Sequence, residues 1–247
     1  MPYQFDFGAI VPYLPLLAQG VLMTLVISVV GGAGGFALSV TGAWVFTEGS
    51  PLARSIMRAY VEVFRNTPFL IQLCFIFFGL PQWHIKLDAV EASLIAVVIN
   101  FGAYGTEILR GAIAATPRGQ REAAASLAMT RMQTFRHVLL RPALQKVWPA
   151  LTSQFVIVML TTSVCSQIAL MEISHVSDFI QGRTFRSFET YAVATVVYLL
   201  LAILVRRALR AFGTRFVTAR GESRLAKRRA DRACCGKAAT GAAGAGR

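Results

Sequence analysis

In a chain that is 55% hydrophobic and only 15% charged, polar residues inside apolar stretches are the ones able to do chemistry. Asn100, Tyr104 and Glu107 recur at i, i+4 and i+7, which places them on one face of a helix. Gln154 and Thr161 stand seven apart with Thr162 and Ser163 adjacent, and Thr24 and Ser28 stand four apart on a face shared with Gly20. Such groups are costly in hydrocarbon, so the stripes predict either hydrogen bonds between helices or the walls of one aqueous cavity for a polar solute. Asn100 and Gln154 are the hardest to hide and favour the second role, whereas Thr24 and Ser28 suit both equally. Glu107 is expected near an interface, paired with Arg110 three residues on as a gate or a structural pair. Arg65, Asn66, Thr67 and Pro68 read as the start of a span, with Thr67 as cap, Pro68 in the first turn and Arg65 reaching lipid headgroups. A part for Arg65 in an inner gate is also open.

Catalytic chemistry is not expected. No G-x-x-x-x-G-K-[ST] loop is present to cradle phosphates, and no spaced acidic pair is set to hold magnesium. His84, His137 and His175 are scattered, and the adjacent Cys234 and Cys235 have no His beside them, so neither a metal site nor a disulfide framework is indicated. Nor does a buried ion-coupling carboxylate or an internal repeat stand out, which argues against a secondary transporter or channel component.

The elements that must position these residues are membrane spans. No charge occurs between Asp6 and Glu48, and further uncharged runs cover 66–85, 92–106, 147–171 and 190–205. A hydrocarbon core of about 30 Å needs roughly 20 apolar residues per helix, so five spans are expected. The first run is read as one long helix after an interfacial lead-in that contains Pro12 and Pro15, with Gly31, Gly32, Gly34 and Gly35 marking either close packing or a turn. Charge placement fixes orientation. Of 25 Lys and Arg, only Lys86, Arg183 and Arg186 fall in one set of loops, and the other 22 in the opposite set. The positive-inside rule then puts the segment 111–146 and the C-terminus in the cytoplasm and the N-terminus in the periplasm. The net charge of +13 is therefore a topology signal, and no nucleic-acid partner is expected.

The segment between the third and fourth spans is too well punctuated for a simple connection. Thr116 and Pro117 read as a helix start, Glu122 to Leu127 are strong helix formers, and Thr130 with Gln133 forms a capping box. Arg141 and Pro142 read as an end or a bend. Two short helices meeting near Ala128 would make a compact knob.

Glu122-Ala123-Ala124, Ala128, Leu140 and Pro142 resemble the EAA loop of binding-protein-dependent ABC permeases. Together with GVLMTLVIS (Gly20 to Ser28), YVEVFRNTPFLIQL (Tyr60 to Leu73), AYGTEILRGAI, GQREAA and TFRSFETY (Thr184 to Tyr191), the resemblance covers about residues 18–212 and points to the polar amino-acid branch. It implies an all-α membrane protein with the type I ABC importer permease fold, five transmembrane helices and a cytoplasmic coupling helix. Coupling to the ATPase falls on Arg118, Arg121, Glu122, Ala123, Ala124, Leu127 and Ala128. Thr24, Asn100, Tyr104, Gln154, Thr161, Thr162 and Ser163 are assigned to the substrate pathway, and Arg65, Glu107 and Arg110 to a gate or its structure. The implied partners are ABC ATPase subunits that bind ATP and Mg, a second permease subunit, a periplasmic solute-binding protein, an amino-acid substrate and inner-membrane lipid. This chain itself would bind no cofactor and would not be an enzyme.

Two departures carry expectations of their own. Ala128 stands where the family has Gly, and a side chain in a left-handed turn costs about 1 kcal/mol, which predicts a right-handed turn. The family's L-K-D-T-S-L reads Leu160-Thr161-Thr162-Ser163-Val164, without either charge, which favours a neutral or acidic amino acid. The domain limits are drawn as an interfacial segment 1–15, the permease domain 16–212 with its coupling loop at 111–146, and a basic, disordered tail 213–247.

Overall fold

The computed structural model describes residues 5–218 as a helical bundle. A 3-10 turn (Phe7–Tyr13) leads into α1 (Leu14–Glu48), a single helix of 35 residues with Pro15 tolerated in its first turn. The glycines of α1 serve packing and not a turn. Gly31, Gly34 and Gly35 lie against Val97, Val98 and Phe101 of α4 (Ala89–Ala114), and Gly32 lies against Phe155 of α7 (Arg141–Thr161). A Cβ on Gly35 would stand 2.8 Å from Phe101 Cβ, so only glycine allows this approach.

Between α1 and α4 the chain makes α2 (Pro51–Arg65) and then α3 (Phe69–Cys74), which runs on through helical turns to Trp83. The two directions differ by 111°. α2 carries Leu52, Ile56 and Val63 exposed beside Arg54 and Arg58, the mixed surface of a helix lying along an interface. After α4 come the short α5 (Arg118–Ser126) and α6 (Arg131–Gln133), a π-helical turn (Thr134–Leu140) and α7. A 3-10 segment (Thr162–Ile168), α8 (Ile173–Thr184) and α9 (Ser187–Phe212) follow, and a π turn extends the last helix to Thr218. Helix thus continues past the tail boundary drawn at residue 212. Cys234, Cys235 and the rest of the basic tail, 219–247, lie outside the described residues.

Four of these helical stretches are long and apolar enough to cross a membrane, and a fifth if the bent pair of α2 and α3 counts as one span. Large apolar side chains such as Leu22, Val29, Leu199, Leu200 and Leu204 are exposed, as lipid-facing positions should be. The interior is held by three clusters. One joins α1, α3, α4 and α7 around Ile27, Leu73, Val97 and Val158; a second joins α1, α8 and α9 around Leu17, Ile173 and Ile180. The third, around Ala43, Leu109, Phe135 and Leu139, closes the end that carries the coupling loop.

Candidate coupling loop and transport path

The loop begins differently from its sequence signals. Thr116 ends the preceding helix, its N–H bonding Ile113 O at 3.1 Å, and Pro117 is the N-cap of α5 without a side-chain hydrogen bond. The expected Thr116 cap is therefore absent. The capping box of Thr130 and Gln133 is present, with Gln133 N donating to Thr130 Oγ1 at 3.3 Å and Thr130 N to Gln133 Oε1 at 2.9 Å. The helix it starts does not stop at Pro142 but continues unbroken to Ile168. The wider π turn just before α7 absorbs the missing N–H and the bulk of the proline ring. The knob is thus one short helix set beside the beginning of a very long one.

Ala128 corrects a second expectation. Its φ is 50°, in the left-handed region. Met129 N donates to Ala124 O at 3.1 Å and Ala128 N to Ala125 O at 2.9 Å, the paired bonds of a Schellman ending. Two otherwise unpaired carbonyls are satisfied, which offsets a strain of about 1 kcal/mol.

Of the residues assigned to coupling, Arg118, Arg121, Glu122, Ala123, Leu127 and Ala128 are exposed, Leu127 to 76%. Ala124 is buried and faces the interior where α5 packs on the π turn. It supports the loop and is not available for docking.

The pathway candidates have different surroundings in the single chain. Thr24 is fully buried against α8, accepting weakly from Ile173 N at 3.5 Å, and Ser28 Oγ donates to Thr24 O at 2.6 Å. Thr161, Thr162 and Ser163 donate to their own helix's carbonyls at Ile157, Met159 and Leu160; Thr162 is buried and the stretch tightens into the 3-10 segment. Gln154 is half-buried.

Asn100, Tyr104 and Glu107 do act together, upon the break between α2 and α3. A helix end leaves its last carbonyls without backbone partners, and here Val63, Phe64 and Arg65 O are taken by side chains, while Glu62 O, which accepts from Asn66 N at 3.2 Å, takes a side-chain bond as well. Glu62 O accepts from Asn66 Nδ2 at 2.8 Å, Val63 O from Thr67 Oγ1 at 2.8 Å, Phe64 O from Gln72 Nε2 at 2.8 Å and Arg65 O from Tyr104 Oη at 3.2 Å. Thr67 is therefore turned back onto α2, and Pro68, not Thr67, caps α3. Asn100 Nδ2 donates to Gln72 Oε1 at 3.0 Å, with both residues more than nine-tenths buried.

Glu107 holds Arg110 in two bonds of 2.9 and 2.6 Å and faces Arg65 at 3.7 Å, whose guanidinium lies over the Tyr104 ring. Arg65, though exposed, is thereby held against α4. Beside this pair a cavity of about 380 Å³ carries Arg58, Glu62, Arg65, Glu107 and Arg110 on its walls.

Two carboxylates that sequence reading missed are fully buried at the opposite end. Glu172 caps α8, accepting from His175 N at 2.8 Å and from Tyr198 Oη at 2.6 Å. Glu189 accepts from Arg186 Nη1 and from Asp6 N, both at 3.1 Å, while Arg186 also faces Asp6 at 3.6 Å. Burial pushes the Glu172 carboxyl above the usual carboxylate range, and the Tyr198 bond opposes that rise. Both groups tie helices together. Each has one partner three residues away, His175 N for Glu172 and Arg186 for Glu189, and one distant partner, Tyr198 and Asp6, that leaves no mark in the neighbouring sequence.

Residues 39–218 match the family described as binding-protein-dependent transport system inner membrane component. The glutamine transport system permease protein GlnP of Escherichia coli (strain K12) is 36% identical over 209 residues, covering 84% of this chain and 95% of that protein. The probable amino-acid ABC transporter permease protein PatM of Vibrio harveyi is 30% identical over 206 residues, covering 82% and 92%. Among solved structures, an amino acid ABC transporter with histidines superimposes with a TM-score of 0.77 at 31% identity, over 87% of this chain and 100% of that one. The MetNI methionine ABC transporter shares the fold, with a TM-score of 0.66 at 24% identity, 84% of this chain and 97% of that chain being covered. The expected type I importer permease fold is therefore the fold observed, and the chain belongs to the binding-protein-dependent transport system inner membrane component family.

Proposed function

We propose that this chain is the permease subunit of an ABC importer for a polar amino acid, and that α5 hands the work of a separate ATPase to the membrane helices. The observation that carries the reading is the exposed surface of Leu127, Arg121 and Glu122 on a short helix locked by the turn at Ala128. A bulky apolar side chain flanked by charges, on a rigid projection, suits a partner's groove better than water. ATP and Mg belong to that partner.

The 22 to 3 distribution of Lys and Arg supports a cytoplasmic coupling loop, with the N-terminus on the periplasmic side. A second permease subunit, identical or paralogous, completes the path, and a periplasmic solute-binding protein supplies the substrate. The uncharged Thr161 and Thr162 favour a neutral or acidic amino acid, in keeping with relatives named for glutamine transport. Arg65, Glu107 and Arg110 contribute one charged cluster to the inner gate, lining a cavity between α2 and the end of α4 that leads into the coupling loop.

Co-purification from detergent with an ATPase, followed by ATP-driven uptake of labelled glutamine into proteoliposomes, tests the reading. Uptake competed by Gln and Glu but not by Arg is expected. A stable complex devoid of ATPase, or uptake driven by an ion gradient alone, would overturn it.

A further inference from the structure

Gln72 belongs to none of the roles above, yet it sits at the point where three helices meet. Its Oε1 accepts from Asn100 on α4. Its two N–H bonds serve three acceptors, Phe64 O at 2.8 Å, Thr67 O at 2.9 Å and Thr67 Oγ1 at 2.8 Å. One side chain on α3 thereby holds the end of α2, the turn after it and α4. Further ties run beside it. Tyr60 Oη donates to Ile99 O at 2.6 Å, Tyr104 reaches Arg65 O, and Arg65 faces Glu107. On the far side of α4 the chain passes through two residues and Pro117 directly into α5, so a displacement of α5 runs along α4 to this joint.

We propose that Gln72 is a positioning residue of transport, locking the 64–68 joint to α4 so that α2, α3 and α4 move as one body and carry Arg65 with Glu107. Asn100, on this account, acts through Gln72 and does not touch substrate. The proposal rests on the importer reading. A buried amide with every donor and acceptor engaged is a rigid node, because any rotation of the joint would strand polar groups away from water.

The test uses the full complex of permease, ATPase and binding protein in proteoliposomes, with labelled glutamine as probe. Losing a buried polar partner shifts an equilibrium by about tenfold, so Gln72→Met should lower maximal uptake about tenfold. The half-saturating glutamine concentration and the ATPase rate should stay within about twofold, so that hydrolysis is uncoupled from transport. Asn100→Leu should do the same, and the double variant should be no worse than either, as members of one network are non-additive.

A general loss of structure would instead depress uptake and ATP hydrolysis in parallel, which would overturn the positioning role. So would a raised half-saturation in Asn100→Leu at unchanged maximal rate, since that marks a substrate contact. A measurement that needs no Gln72 variant is the distance between spin labels at Ser55 and Phe78, on either side of the joint, with the native cysteines replaced. It should be the same without nucleotide and with ATP, and a shift between the two states would make the joint a hinge and refute the lock. Absence of ATP-driven uptake by the wild-type complex would overturn the importer reading, and this proposal with it. Wild-type uptake alongside a fully coupled Gln72→Met would overturn the proposal alone.

Discussion

Tyr198 Oη donates to Glu172 Oε2 across 2.6 Å, and this bond fastens α9 to the first turn of α8. Ser174 Oγ lies 3.0 Å from the same hydroxyl. Tyr198→Phe removes the donor while leaving the ring in place, so a fully buried carboxyl loses one of its partners. The expected cost is about 1 to 3 kcal/mol, read as a lower thermal midpoint of the detergent-solubilised permease. An unchanged midpoint would show that the bond contributes nothing net.

The same carboxyl gives the stability a pH dependence whose sign is fixed by linkage. Burial raises the Glu172 pKa above 4.5, so the folded state holds this proton more tightly than the unfolded chain does. The contribution of this site is complete below about pH 4.5 and is lost as pH rises through the folded value. Glu172→Gln keeps a neutral acceptor at all pH values. The midpoint of wild type should therefore fall relative to that of Glu172→Gln between pH 4.5 and neutrality, and parallel curves would refute the assignment.

At Ala128 the φ of 50° suits glycine. Ala128→Gly is expected to leave the coupling loop intact and to stabilise it by up to about 1 kcal/mol, while Ala128→Val should destabilise it by more than that. Hydrogen exchange of the Met129 amide, which bonds Ala124 O, reports the difference directly.

Leu127 is the most exposed large apolar residue of the loop. Leu127→Glu should leave the amount of permease in the membrane unchanged and weaken its association with the ATPase by roughly 2 kcal/mol, the scale of an interface hot spot. Ala124→Glu is expected to act differently, lowering the amount of folded protein, because its site is buried. Pull-down of the ATPase and quantitation in membranes separate the two.

Gly35 is expected to tolerate no side chain. Gly35→Val would drive Cβ into Phe101 and to 3.1 Å from Val98 O, an overpacking that costs about 1 to 3 kcal/mol or more. Loss of folded permease from the membrane is the expected readout, and normal levels would mean that α1 and α4 can separate.

Much of the bundle was legible from one-dimensional signals, because lipid imposes them directly. A charge-free run from Asp6 to Glu48 can only be satisfied as a helix, and α1 is one. The capping box at Thr130 and Gln133 was legible for a similar reason, since its bonds close within three residues. The pair Glu107 and Arg110 follows from one turn of helix. Local rules misled where a distant partner competed. Thr67 has the spacing of a cap for α3, but its hydroxyl is drawn back to Val63 O and shared with Gln72. Ala128 is strained on its own account, yet two backbone bonds hold it there.

By itself, then, the sequence determined the spans, their charge bias, the position of the coupling loop and the family, since each depends on hydrophobicity, charge or short-range spacing. Only the tertiary structure decided what the polar residues meet. Asn100 faces Gln72 from 28 residues away, and Glu172 faces Tyr198 from 26. Buried polar groups must find partners wherever the chain's path supplies them, and that path is a property of the packed helices, not of any window of sequence.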